Sequence, residues 1–305
     1  MECAFLSQIP DSFVVQRRSF AETARVYLDV TRPKVILLVL FTGLPVLGLG
    51  RAVWPTLWEA FWILAGTALA GGASSALNAY VERDSDARMA RTRRRPLPAS
   101  VLVPGAVLAY GLLLTVVSTG ILAWIGGPLA AAVGFGTIAF YVLVYTIWLK
   151  PRTPQNIVIG GAAGAVAPLI ASAALDGTIS LSAWILFAIV FLWTPPHFWA
   201  IAIYRREDYK RAGFPMMNLV VGDQATRWRS LAYTVAMLAV SLVPVWLGDL
   251  GVIYLVAAIG LGGWFLVEVI RSMIIQDASQ DRKVFKVSIY YLMLLYALMC
   301  VDLLV

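Results

Sequence analysis

The sequence predicts an all-α integral membrane protein with nine spanning helices, and three observations predict it. Of 305 residues, 60% are apolar and only 13% are charged, against roughly 25% charged in soluble globular chains. The apolar residues fall in blocks of about 18 to 24, the length that crosses a hydrocarbon core about 30 Å thick. The basic residues gather in alternate connectors. So few charges cannot cover a water-facing surface, which argues against a soluble enzyme and against a nucleic-acid partner despite the net charge of +7. The lipid bilayer is the expected surrounding.

Taken in order, residues 1–30 carry Arg17, Arg18 and Arg25 with no continuous apolar run. They read as a basic cytoplasmic segment on the membrane surface rather than a signal peptide. Residues 31–305 then form one nine-helix membrane domain. Its spans are roughly 33–50, 58–80, 101–124, 127–149, 156–175, 182–203, 230–248, 252–271 and 285–304. Gly126-Gly127-Pro128, Asp176-Gly177 and Gly248–Gly251 are turn signals between them. Connectors 81–100 and 204–229 are longer and crowded with charge, and loops of that length in a packed protein are usually functional.

Assigned to these connectors, all but Arg51 of the 24 basic residues fall on one face. The positive-inside rule makes that face cytoplasmic, with the N-terminus inside and the C-terminus outside a cytoplasmic (inner) membrane. Glu59, Glu268 and Asp302 lie near span ends, and no Asp, Glu, Lys or Arg lies mid-span. Ion-coupled transporters usually place such groups near the midplane. Cys3 and Cys300 suit neither a disulfide framework nor a thiol or zinc site.

The chemistry therefore gathers at the cytoplasmic helix ends. If the second span continues through Asp86, then Asn78, Glu82 and Asp86 are each four residues apart and line one helix face. Two like charges one turn apart repel unless a cation lies between them. Mg²⁺ suits such hard oxygen donors and keeps coordination positions for phosphate. Asp84 lies within the same motif. Arg91 and Arg95, just downstream, supply forked donors for phosphate oxygens. Carboxylates, arginines and a bilayer together imply a substrate with a diphosphate head and a lipid tail. Lys34, with Arg32, lies at the start of the first span, as an anion contact or as a topology signal.

A second constellation runs from Trp193 through Thr-Pro-Pro to His197, Phe198 and Trp199, then to Arg205, Arg206, Glu207 and Asp208. Pro195-Pro196 would kink or interrupt the sixth span. His197, the one histidine of the chain, is either an iron ligand or a hydrogen-bonded structural group. The aromatic residues beside it either pack helices or attract an allylic cation to their π faces. Gly160 and Gly164 fit close helix packing.

The run Asn78-x-x-x-Glu82-x-Asp84-x-Asp86-x-x-Met89-x-Arg91-Thr92-x-x-Arg95-Pro-Leu-Pro98 resembles the first aspartate-rich motif of the UbiA superfamily of intramembrane prenyltransferases. Glu82 stands where that motif usually has Asp, as in the haem-modifying branch. The Thr194-Pro-Pro-His197-Phe-Trp199 segment, followed by Arg205-x-x-Asp208-Tyr209, resembles the same branch. His197 takes the place of carboxylates found in the wider superfamily, so only Glu207 and Asp208 remain as acids there.

The resemblance implies a UbiA-like bundle around a central cavity open to the cytoplasmic side. It implies Mg²⁺-dependent transfer of the farnesyl group of farnesyl diphosphate to a vinyl group of haem B, for haem–copper oxidase biogenesis. Asn78, Glu82 and Asp86 would then hold the metal, with Asp84 and Asp208 as helpers. Arg91, Arg95, Lys150, Tyr145 and Lys34 would hold the diphosphate, although Tyr145 and Lys150 are five residues apart where four is usual. His197, Arg205, Arg206 and Trp199 would hold the haem, and a downstream haem A synthase is an implied partner. The rivals are prenylation of an aromatic quinone precursor and non-catalytic haem handling or transport.

Overall fold

The computed structural model describes residues 19–50 and 54–305. The expectations for Arg17, Arg18, Cys3 and Arg51 lie outside the described residues. All regular elements described are helical. Helix α1 (Phe20–Thr31) starts at a capping box between Ser19 and Glu22. Helix α2 (Pro33–Gly43) follows at a bend of 54°. The hinge is Arg32, in the left-handed region at φ 58°. Pro33 is its physical cause, since a following proline disfavours right-handed helix at the residue before it.

Helix α3 (Leu57–Asp86) opens on a second capping box, Thr56 with Glu59, and runs 30 residues to the first charged constellation. Helix α4 (Pro104–Ala139) continues into a π-helix, Phe140–Leu149. The expected turn at 126–128 is present as a non-helical break between two helices that follow one another in the 104–149 stretch. It forms at Gly127, whose φ of 73° suits only a residue without Cβ, followed by Pro128. Helices α5 (Asn156–Gly164) and α6 (Ala167–Asp176) follow in series, and Gly177 ends the second in the left-handed region.

Helix α7 (Leu181–Tyr204) contains Pro195 and Pro196 yet stays helical throughout. The expected interruption there does not occur. Helices α8 (Arg206–Ala212) and α9 (Met217–Val221) fill the long second connector. Then come α10 (Asp223–Ser241), α11 (Val243–Trp246), α12 (Val252–Ile275) and α13 (Ala278–Asp302). The connector that the expected spans leave at 272–284 shrinks to Gln276 and Asp277, because α12 runs on to Ile275 and charged residues from 278 onward are the first turns of α13.

Among the described residues seven helices are long and apolar enough to cross a membrane, or eight if the bent α1–α2 pair is one span. The stretches 156–176 and 181–204 are the most enclosed, with 67% of an apolar 18-residue window of each buried, whereas the same measure for the 104–149 stretch is 22%. Thus α5–α7 form the centre and α4 lies at the lipid-facing rim. Leu112, Leu113, Val116 and Trp124 are exposed there, as suits contact with hydrocarbon. Inside the helices, Thr67, Ser74 and Thr115 donate to carbonyls one turn back, which satisfies their hydroxyls without water. The charged pairs join the connectors at one end of the bundle. At the other end Asp249 accepts from Ser182, and Asp302 caps the start of α12 at Tyr254 N.

Candidate active site

The last turns of α3 carry a polar ridge. Asn78, Glu82 and Asp86 are 1%, 6% and 1% exposed, on the one face that their spacing predicts. Each meets a cation from a different part of the chain. Arg32 donates through Nη2 to Asn78 Oδ1 at 3.0 Å, while Asn78 Nδ2 donates to Thr146 Oγ1 at 3.1 Å. Lys150 Nζ is paired with Glu82 Oε1. Arg95 Nη1 meets Asp86 Oδ2 at 2.7 Å. The second oxygen of each carboxylate makes no hydrogen bond or ion pair with a described residue. Burial, and after it the Arg32 charge, lower the Arg95 guanidinium from its ordinary value, against the pull of Asp86.

The π-helix explains how Lys150 reaches this ridge. Its hydrogen bonds link residues five apart, and Lys150 N donates to Tyr145 O at 2.9 Å. Residues five apart therefore stack, and Lys150 lies 5.8 Å from the Tyr145 ring centroid. On its other side is the Phe214 ring at 4.8 Å, brought in by the second connector. Tyr141 and Tyr145 face each other with centroids 5.1 Å apart. A Cβ at Gly160 of α5 would run into the Tyr145 ring, so the glycine makes room for the ring beside the ridge.

The ridge therefore gathers Asn78, Glu82, Asp86, Arg95, Tyr145 and Lys150, with Arg32 taking the place expected for Lys34. Lys34 and Arg91 are exposed and make no described contact with the ridge. Asp84 points away, its side chain 79% exposed with Arg83 as a loose partner at 3.7 Å. Asp208 is half-buried and lies 4.0 Å from Arg205. Among the described residues no three His, Cys, Asp or Glu form a metal-holding group. The hard donors at the ridge are two carboxylates and an amide, and one oxygen on each carboxylate is uncommitted. That chemistry fits a small oxygen-loving cation that keeps part of its shell for another ligand.

The second constellation builds a different environment. His197 is buried against Trp193 at 4.3 Å, Phe285 at 4.8 Å and the edge of Phe198 at 5.1 Å. Its Nδ1 lies 2.7 Å from Ser288 Oγ. Phe285 continues to Tyr204 at 6.1 Å, and two guanidinium groups, Arg205 and Arg282, lie against that ring at 5.4 and 5.8 Å. Arg206 instead pairs with Asp223 at 3.1 Å. Trp199 lies away from His197, edge-on to Tyr233 at 5.5 Å and in one cluster with Met216 and Met217. The two-residue step from His197 turns it to the opposite side of α7. Arg282, Phe285 and Ser288 did not stand out in the sequence. Their only signal was the charged start and aromatic content of the last helix.

Comparison with known proteins matches the UbiA prenyltransferase family over residues 39–297. A protoheme IX farnesyltransferase of Alkalilimnicola ehrlichii is 47% identical over 283 residues, 91% of this chain and 92% of that protein. The same enzyme of Azorhizobium caulinodans is 46% identical, covering 93% of each chain. Among solved structures, one from work on digeranylgeranylglyceryl phosphate synthase superposes with TM-score 0.76 at 15% identity, over 92% of this chain and 99% of that one. A UbiA homologue of Archaeoglobus fulgidus, solved with GPP and Mg²⁺, gives TM-score 0.62 at 15% identity, over 90% and 99%. These two likenesses concern the fold.

Proposed function

This chain belongs to the UbiA prenyltransferase family, and from that premise we propose that it transfers the farnesyl group of farnesyl diphosphate to a vinyl group of haem B. The product is haem O, used in haem–copper oxidase biogenesis, with haem A synthase acting downstream. The observation that carries the reading is the coexistence of two sites at the bundle's charged end. One is an acid–cation ridge beside tyrosine faces, and the other is a buried histidine in an aromatic cage. Near-full-length relatives, named as protoheme IX farnesyltransferases, support it.

Glu82 and Asp86, with the Asn78 amide oxygen, would hold Mg²⁺. When bound, the ion neutralises charge on the diphosphate oxygens. Lys150, Arg95 and Arg32 would donate to those oxygens, each now held by an acid or amide that the substrate complex engages. As the C1–O bond breaks, diphosphate leaves with the bonding electrons. The allylic cation left behind is attracted to the faces of Tyr141 and Tyr145. The vinyl π electrons then form the new bond to C1. Water adds to the resulting porphyrin-side cation, and the strongly acidic oxonium passes its extra proton to surrounding water, so the site needs no dedicated base.

His197 would ligate the haem iron, and Arg205 with Arg282 would pair with the propionates. Arg91 and Lys34 are assigned a looser electrostatic role at the cavity mouth, and Asp208 helps by holding Arg205. We also read nine spans, counting the run broken at Gly127 as two, around a cavity open to the cytoplasmic side. In this reading the N-terminus is cytoplasmic, the C-terminus is outside, and residues 31–305 act as one domain in the inner membrane.

The test supplies the purified protein with haem B and farnesyl diphosphate, with and without Mg²⁺, and analyses products by mass spectrometry. Farnesylated haem that depends on Mg²⁺ is the expected result. No such product in either condition sinks the reading, and prenylation of 4-hydroxybenzoate offered in place of haem in a parallel reaction redirects it to quinone precursors.

A further inference from the structure

We infer that Ser288 is a positioning residue for His197: it fixes the imidazole as the tautomer protonated on Nδ1, so that Nε2 offers its lone pair to the iron of a porphyrin. The inference deepens the reading of His197 as the haem ligand and rests on it.

The case is one of counting protons. Ser288 Oγ lies 2.7 Å from Phe285 O. Two oxygens at that distance repel unless a proton lies between them, and a carbonyl has none to give. The serine hydroxyl therefore donates to Phe285 O. Ser288 Oγ also lies 2.7 Å from His197 Nδ1. Because the serine proton is already committed, the proton in this second bond is the imidazole's own. A neutral imidazole carries one N–H, so Nε2 is left as the electron-pair donor.

The surroundings hold the ring in this state. Trp193 stacks on the imidazole with planes 23° apart, and its Nε1 donates to Ser288 O at 2.8 Å. Ser288 thus joins α13 to α7 twice, once through its side chain and once through its backbone. Nε2 makes no hydrogen bond with a described residue. Histidines that bind metals commonly donate their other ring N–H to an acceptor that sets tautomer and orientation, and losing that acceptor typically weakens the metal bond 10- to 100-fold.

The chain has one histidine, which makes a direct test available. Full-length protein carrying ¹⁵N-histidine and no polyhistidine tag gives ring nitrogen signals from His197 alone. Without haem, the expected spectrum has a protonated Nδ1 and an unprotonated Nε2. Ser288→Ala should give a mixture of tautomers, and Ser288→Thr, which keeps the hydroxyl, should restore the single form. The backbone bond from Trp193 survives the alanine, so the helix contact is retained. A wild-type spectrum with the proton on Nε2 overturns the inference.

With haem B added and reduced, resonance Raman should show an iron–histidine stretch. His197→Ala should abolish it, and Ser288→Ala should lower its frequency and weaken haem binding about 10-fold. A stretch that survives His197→Ala overturns histidine ligation, and with it the parent reading. A stretch lost in His197→Ala but unmoved in Ser288→Ala overturns the role of Ser288 alone.

Discussion

Two buried acid–base clusters lie at the charged end of this bundle, and they differ in what their carboxylates have left over. Arg227 of α10 clasps Asp281 of α13 with two bonds, Nε to Oδ1 at 3.2 Å and Nη2 to Oδ2 at 2.6 Å. Ser272 adds a third at 2.5 Å. Glu268 nearby is equally occupied, with Arg271 and Lys283 on one oxygen and Gln280 on the other. At the ridge, by contrast, Glu82 and Asp86 each commit one oxygen to a single cation. The first arrangement closes on itself and joins α10, α12 and α13. The second keeps ligand positions in a place that burial makes costly to leave unfilled, and that difference is what supports placing the proposed chemistry there.

Paired substitutions test that division, beginning with the largest effect. Asp281→Asn leaves the Arg227 charge buried without its partner, a loss of about 3 to 5 kcal/mol. Thermal unfolding in detergent should show a much lower midpoint, while turnover per folded molecule stays close to wild type. Glu82→Gln should do the reverse. Haem O formation should fall about 10²- to 10³-fold, the scale for losing one electrostatic contributor to a transition state. The unfolding midpoint should move less than in Asp281→Asn, because Lys150 keeps the Tyr145 and Phe214 ring faces. If both variants lose stability alike and activity alike, the distinction between closed and open carboxylates fails.

Gly160→Ala is a subtler probe of the same ridge. The added methyl pushes the Tyr145 ring without changing any charge, and small misplacements near reacting groups can be costly. Turnover should fall about 10-fold at saturating substrate, with Mg²⁺ dependence unchanged in a metal titration. Full activity would remove Tyr145 from the site.

What the sequence disclosed and what it hid follow from the range of each interaction. The ridge was legible because Asn78, Glu82 and Asp86 depend only on helical period, and α3 runs to Asp86. The partners of those residues were not, since Arg32 meets Asn78 across 46 positions and Ser288 meets His197 across 91. The five-residue step from Tyr145 to Lys150 looked like a departure until the π-helix absorbed it. Trp199 shared a motif with His197 but not a helix face. The break at Gly127 follows a rule of thumb, and the unbroken helix at Pro195-Pro196 departs from one. The glycine–proline turn signal ends one helix and starts the next, whereas the diproline is carried inside α7.

Asp84→Asn is the smallest expected effect and the sharpest control. Asp84 lies two residues from both Glu82 and Asp86, in the same motif and with the same charge, but two residues rotate a helix by about 200°. Its carboxylate is largely solvated, and exposed pairs like that with Arg83 contribute about 0 to 1 kcal/mol. Stability should therefore change by less than about 0.5 kcal/mol, and haem O formation should stay within about twofold of wild type when measured beside Glu82→Gln. A loss approaching that of Glu82→Gln would mean that the amount of negative charge in this connector matters more than which face presents it. It would also require Asp84 to turn inward on substrate binding, because from its present position it does not reach the ridge.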